Sequence, residues 1–371
     1  MKRHGLESFE LSQAYLFYWD KLEKANWFLE QIIATSGEDL DSRLVQTLLG
    51  DIVSDGGQWD MVYNLVDKYG LVPQTLYPDS WNAKSSGALN SVVKTKLREF
   101  ALKLRDTITS GEASNEGLVK LKAKMMQEIT LILTLTLGPP PNPDESLSWQ
   151  FVDKHGKAQD RTITPRSFAK NIYSHEFQIT SEAIEGMISL VHDPRNETMN
   201  RLAVPRLGNI VGGRGINYVN VEMDVLKTAC IKMLKSGMPI FFGSDVGKFS
   251  DNVTGIMDLD LIDYKLGFNT DLLTMTKAQR LMTGESQMTH AMVLTAVHID
   301  EKTGKSVRWR VQNSWGEDKG DKGWFVMSDA WMDQFVYQAV VDPRFVDRQV
   351  REVLKKTPID LPLWDPMGSL A

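Results

Sequence analysis

Thr289-His290-Ala291-Met292-Val293-Leu294-Thr295-Ala296-Val297, read together with Val311-Gln312-Asn313-Ser314-Trp315-Gly316-Glu317, is the sequence on which the fold turns. The first stretch is a polar entry to an apolar run of strand length and composition. A histidine at the mouth of a buried strand can be held rigidly with its ring facing a cleft. The second stretch ends a strand-like run and continues through Gly320 to Gly323-Trp324-Phe325. A side-chain amide oxygen can accept the N–H of an imidazole, which sets the ring's tautomer and orientation. Trp315 stands where it could shield that bond from water. Taken singly, His290 reads as a satisfied structural histidine and Asn-Ser-Trp-Gly as a strand end with a turn. Taken in order, they read as one constellation.

Strand signals also fall at 239–243, 306–312 and 324–327. Upstream the chain turns helical. Ser12 caps a helix whose apolar stripe runs through Leu16, Trp19, Leu22, Phe28 and Ile32. A short helix fits 42–49, and a third opens after Ser54-Asp55-Gly56-Gly57-Gln58 and closes at Gly70. Long Lys-, Leu- and Met-rich helices fill 80–137 and stop at Gly138-Pro139-Pro140-Pro141. A hairpin is expected over 147–163 around His155-Gly156, and a helix over 221–236. Helices near Asp329 and Arg344 lead into a proline-rich tail, 358–371. Helices first, strands late and a helical block between them predict an α+β protein of two lobes with a large insertion.

Composition excludes several function classes. Hydrophobic residues make up 42% and charged residues 24% of 371, an ordinary soluble balance. The net charge of -6 argues against a uniformly basic nucleic-acid surface. One cysteine rules out an intrachain disulfide and, with 17 methionines, predicts a reducing, cytoplasmic setting. No apolar run reaches the roughly 20 residues of a membrane span, so no membrane partner is expected. No metal cluster is visible, no cofactor is expected, and Gly212-Gly213-Arg214-Gly215 lacks the setting and the Lys-Ser/Thr ending of a phosphate loop.

His290-Ala291 followed by Asn313-Ser314-Trp315-Gly316 resembles the C-terminal half of papain-like cysteine peptidases. Leu11-Ser12-Gln13 is similar to their Leu-Ser-Glu-Gln element, and Asp55-Gly56-Gly57 to the glycine pair lining their substrate cleft. Within that superfamily the chain resembles the bleomycin hydrolase family over essentially its whole length. The resemblance rests on Asp55-Gly56-Gly57-Gln58-Trp59-Asp60-Met61, Gly284-Glu285-Ser286-Gln287-Met288-Thr289-His290, Val211-Gly212-Gly213-Arg214 and Phe242-Gly243-Ser244-Asp245-Val246-Gly247-Lys248. Leu361-Pro362-Leu363-Trp364-Asp365-Pro366-Met367-Gly368-Ser369-Leu370-Ala371 adds the most specific match.

The resemblance implies a papain-like fold divided into four segments: 1–79, the rest of the helical lobe; 80–284, a mainly helical insertion with a hairpin; 285–357, the β lobe with His290 and Asn313; and 358–371, an arm. It implies a cysteine aminopeptidase acting on peptide substrates, assembled as a homohexamer. His290 and Asn313 would be catalytic, Gly56, Gly57, Thr289 and Ala291 would line the substrate site, and Trp315 would support it. Gly368, Ser369, Leu370 and Ala371 would lie in the cleft and limit cleavage to residues near a peptide's free N-terminus.

One departure matters. The family's nucleophilic cysteine opens a central helix upstream of the Leu-Ser-Gln element, with an oxyanion glutamine before it, and neither is in this sequence. Met1-Lys2-Arg3 resembles an internal stretch of the family, so the expectation is a chain lacking the catalytic-helix segment; a mitochondrial form would require an upstream exon. Cys230, on the apolar side of a helix in the insertion, reads as an inert core residue. Two readings follow: a thiol aminopeptidase whose cysteine is missing here, and a catalytically inactive binding or assembly subunit. Nucleic-acid binding is a weaker third, since Lys120-Leu121-Lys122-Ala123-Lys124 reads as a solvated helix face.

Overall fold

The computed structural model describes residues 4–111, 114–172 and 181–369. They cluster into two compact units, the first made of 4–55, 60–111, 114–172 and 208–214, the second of 56–59, 181–207 and 215–369.

The first unit is helical: α1 (Gln13–Ala34), α2 (Arg43–Gly50), α3 (Trp59–Tyr69), α4 (Trp81–Lys84), α5 (Gly87–Thr109), α6 (Asn115–Leu137) and α7 (Pro165–Lys170), with the hairpin β1 (Leu147–Val152) and β2 (Ala158–Ile163). Ser12 caps α1 by accepting the Tyr15 N–H at 3.1 Å, as its position predicts. Gly70 ends α3 at φ +77°, where a Cβ would collide with the Pro165 backbone. The buried face of α1 differs from the expected one. Ala14, Tyr18, Lys21, Ala25, Phe28 and Ile32 run along it, with Tyr15, Glu23, Lys24 and Leu29 also buried, while Leu16, Trp19 and Leu22 are only half-buried.

The second unit is built on one sheet. Its strands are β3 (Ile188–Val191), β4 (Arg201–Ala203), β5 (Asn217–Asn220), β6 (Ile240–Ser244), β7 (Ser250–Asp251), β8 (Ile256–Met257), β9 (His290–Ile299), β10 (Ser306–Gln312), β11 (Trp324–Ser328), β12 (Val336–Val341) and β13 (Ile359–Asp360). Their order is β13-β4-β5-β3-β12-β6-β9-β10-β11-β8-β7, antiparallel through its centre from β3 to β11. Helices α8 (Ser181–Glu185), α9 (Met223–Lys235), α10 (Tyr264–Phe268), α11 (Lys277–Thr283), α12 (Asp329–Phe335) and α13 (Arg348–Glu352) complete the unit. Alternate residues of β6 and β9 (Ile240, Phe242, Met292, Leu294) pack with Leu226, Cys230 and Met233 of α9 in its core.

The strands at 240–244, 290–299, 306–312 and 324–328 fall where the sequence signals place them. Five others within 80–284 (β3, β4, β5, β7 and β8) join the sheet although that stretch reads as mainly helical with a hairpin. Central β12 also departs from the helix-to-helix reading of 329–344. All six of its residues are buried, so it has no alternation to betray it.

Candidate active site

His290 is the first residue of β9 and faces Ser244 across to β6. On the other side of β9, antiparallel β10 ends at Gln312, and Asn313 follows at once. The Asn313 backbone N–H donates to the Gly323 carbonyl at 2.9 Å, which holds it against the turn into β11. The start of one strand and the end of the next therefore lie at one edge of the sheet, and residues 23 apart in sequence meet.

The meeting is a hydrogen bond. His290 Nε2 lies 2.8 Å from Asn313 Oδ1. The Ser314 backbone N–H also donates to that Oδ1, at 2.8 Å, which identifies it as the amide oxygen. An amide oxygen only accepts, so Nε2 carries the proton and Nδ1 is left as the basic nitrogen of the neutral ring. Trp315 stacks on the imidazole with centroids 4.6 Å apart and planes at 25°, and Phe325 meets Trp315 edge-on at 6.1 Å. Burial penalises the imidazolium and holds the His290 pKa below its ordinary value; the bond to Asn313 opposes this. The result is a neutral, oriented base at neutral pH.

Thr289 donates its backbone N–H to the Ser244 carbonyl at 2.9 Å, and its hydroxyl lies 3.4 Å from Asp245 Oδ1, turned toward protein groups. Ala291 faces Gly243 on the sheet face opposite to His290. Gly56 and Gly57 are half-buried loop residues leading to Gln58, whose side chain is fully buried.

The tail is docked. Ile359 and Asp360 run parallel to β4, and the Leu361 N–H donates to the Ala203 carbonyl at 2.8 Å. Arg195 bridges buried Asp193 and Asp365, with its Nη2 at 2.8 and 2.7 Å from them, and Tyr218 donates its hydroxyl to the Met367 carbonyl at 3.0 Å. Gly368 is buried, with the Leu363 carbonyl 3.1 Å from where a Cβ would sit. Ser369 Oγ lies 2.6 Å from the Met288 carbonyl, and Gln58 Nε2 donates to the Ser369 carbonyl at 2.8 Å. The tail thus reaches the backbone just before His290 and the side chain just after Gly57. Leu370 and Ala371 lie outside the described residues.

Sequence reading missed the parts that hold these groups in place. Gln58 stands in a motif quoted above, but its contact with the tail spans 311 positions and has no local signal. Lys21 did leave one, a charge in the middle of the buried stripe of α1. Its Nζ donates to the Val53 carbonyl at 2.5 Å and pairs with Asp55, the residue before Gly56. Burial pushes its pKa down and Asp55 opposes the shift.

Cys230 is fully buried in the α9 core, where burial pushes its thiol up to about 12. Among the described residues no group of three or more His, Cys, Asp or Glu side chains is placed to hold a metal ion, and no helix is long and apolar enough to cross a membrane. Lys120 and Lys122 are engaged by Glu116 and Glu30.

A sequence profile of the Peptidase C1-like family matches residues 1–368. The chain belongs to that family. Peptidase C1-like relatives include human bleomycin hydrolase, 42% identical over all of this chain and 81% of its own length. Cysteine proteinase 1, mitochondrial, of Saccharomyces cerevisiae is 42% identical over 99% of this chain and 75% of its own. The crystal structure of PepW from Lactobacillus rhamnosis HN001 superimposes with a TM-score of 0.92 and 40% identity, covering this chain fully and 81% of that one. The mixed α+β fold expected from the sequence is the fold of this family.

Proposed function

We propose that this Peptidase C1-like chain carries the base and the orienting partner of a thiol aminopeptidase site, with His290 as base and Asn313 as its orienting acceptor. The observation that supports this most is the Nε2–Oδ1 bond of 2.8 Å under Trp315, which leaves Nδ1 basic and directed by its neighbours. In such a site a thiol beside Nδ1 gives up its proton to the ring, and the thiolate attacks a peptide carbonyl. The imidazolium returns the proton to the departing amine as the acyl-enzyme forms, and the neutral ring then deprotonates the water that hydrolyses the thioester and restores the thiol. Gly56 and Gly57 would line the peptide's path, with Thr289 and Ala291 flanking the base. The tail through Gly368 and Ser369, continued by Leu370 and Ala371, would block the far end of the cleft and select substrates by their free N-terminus. The four-segment division at 79/80, 284/285 and 357/358 is part of the same reading, as is assembly into a homohexamer.

The 371 residues hold one cysteine, and it is buried in α9. With no thiol at Nδ1, these 371 residues by themselves are expected to show no peptidase turnover; the alternative reading is a binding or assembly subunit. Purified chain is assayed on aminoacyl arylamides with and without a thiol alkylator, and sized by sedimentation. Absence of alkylator-sensitive turnover is expected; family-like, alkylator-sensitive rates would overturn the inactivity. Replacement of His290 by Ala in any active form must abolish that turnover, and activity surviving the change would remove the base assignment.

A further inference from the structure

A chain of buried hydroxyls ends on Asp245, the residue that follows His290's cross-strand partner Ser244. Asp245, Ser286 and Tyr337 are 4%, 1% and 0% exposed. Ser286 Oγ lies 2.7 Å from Asp245 Oδ2 and 2.6 Å from Tyr337 Oη. A carboxylate only accepts, so the Ser286 O–H donates to Asp245 and the Tyr337 O–H donates to Ser286. The same carboxylate accepts the Gln287 backbone N–H and has Thr289 Oγ1 at 3.4 Å from Oδ1. Lys248 and Arg280 face it with positive charge, and Lys277 Nζ sits 4.7 Å from the Tyr337 ring centroid. Burial pushes the Asp245 carboxyl up, and the hydrogen bonds resist.

One side chain therefore holds Ser286, Gln287 and Thr289 in the run leading into His290. Met288, between them, turns its side chain onto Gly243, where any Cβ would collide with its sulfur. Its carbonyl is the one that receives Ser369 Oγ at 2.6 Å. Set loose, this turn would shift both the start of β9 and the tail's acceptor, and displacement of about 1 Å is enough to lose a hydrogen bond.

We propose that Asp245, braced by Ser286 and Tyr337, is a positioning residue that sets the 286–289 turn and thereby fixes together the ring of His290 and the carbonyl that docks the tail. The inference rests on reading His290 as the base only for its catalytic meaning; its geometry is testable in the chain as it stands.

Ser286→Ala and Tyr337→Phe are made in the full chain, and histidine ¹⁵N NMR follows each ring through titration. His155, in the turn between β1 and β2, is the internal control; His192 is unsuitable, because its backbone N–H donates to the Tyr337 carbonyl at 3.0 Å. In both variants the His290 midpoint is expected to rise toward 6.5 as water reaches the ring, with loss of the pure Nε2–H tautomer signature. The ring signals of His155 are expected to stay put. Carboxypeptidase release of the C-terminal residues should become about fivefold faster, the effect of one lost hydrogen bond. A purely structural brace would lower the melting temperature yet leave folded His290 and the tail unchanged, and that result overturns the proposal. So does a His290 shift matched by a change at His155, because the effect would then be non-local. Should Ser286→Ala fail to fold, Tyr337→Phe keeps the ring, loses one hydroxyl and decides the question alone. Neither readout needs turnover, so a failed peptidase assay and an unmoved His290 overturn different claims.

Discussion

The mouth of β9 and the middle of α9 each hold a residue that could do nucleophilic chemistry, and the same force acts on both. Burial penalises the charged form, so it pushes the His290 imidazole down and the Cys230 thiol up to about 12. Both are held neutral, with opposite consequences. A neutral imidazole is a base in its working form, whereas a neutral thiol is a nucleophile in its inert form. Position adds to the contrast. His290 stands at a strand end with a bonded partner and an aromatic lid, while Cys230 is fully enclosed by apolar side chains.

The strongest way to break the comparison is to find that Cys230 reacts. In native protein its labelling by a thiol reagent should be slower than in denatured protein by about 10³-fold or more, limited by opening of the core. Rapid stoichiometric labelling without unfolding would show that α9 exposes a usable thiol. Next in size is Cys230→Ser, which buries a hydroxyl in an apolar setting and should cost about 1–3 kcal/mol in denaturant unfolding. Asn313→Ala should cost about 1 kcal/mol and lower the His290 titration midpoint, because the bond it removes favours the charged ring. A rise would mean that water entry outweighs the lost bond. Trp315→Ala should act in the opposite direction, raising the midpoint by wetting the ring, with a stability loss under about 1 kcal/mol since Trp315 is 37% exposed.

The smallest expected effect is on the pH dependence of stability. The His290 pKa is lower in the folded state than in the unfolded state, so the unfolded chain binds the proton more tightly. Its contribution is complete above the ordinary value of 6.5 and is lost as pH falls through the folded value. His192 is lowered in the same way. His290→Gln should flatten, without abolishing, the fall in melting temperature below that pH. An unchanged slope would show that His290 is hydrated in solution.

Much of this molecule could be read in advance. Ser12 announces its helix because a cap is a local bond between a side chain and an amide a few residues on. Strands β9, β10 and β11 alternate enough to be seen, and His290 and Asn313 stand at their ends. β12 was invisible because a strand buried on both faces has no period, and β4, β5, β7, β8 and β13 are too short to show one. Lys21 could have been noticed as a charge in an apolar stripe. Asp245, Ser286 and Tyr337 could not, since each is an ordinary residue until the sheet brings it to the others.

The sequence by itself determined the family and the α+β class, and it singled out His290 and Asn313 as the proposed site pair. All three rest on residue types at set spacings along one chain, which local chemistry and resemblance can read. Only the tertiary structure decided which nitrogen of the His290 ring is left unprotonated, that Cys230 is enclosed, and that Gln58 and Met288 hold the tail. Those are facts of direction and burial between residues far apart in sequence, and they depend on how strands pair and what that pairing removes from water.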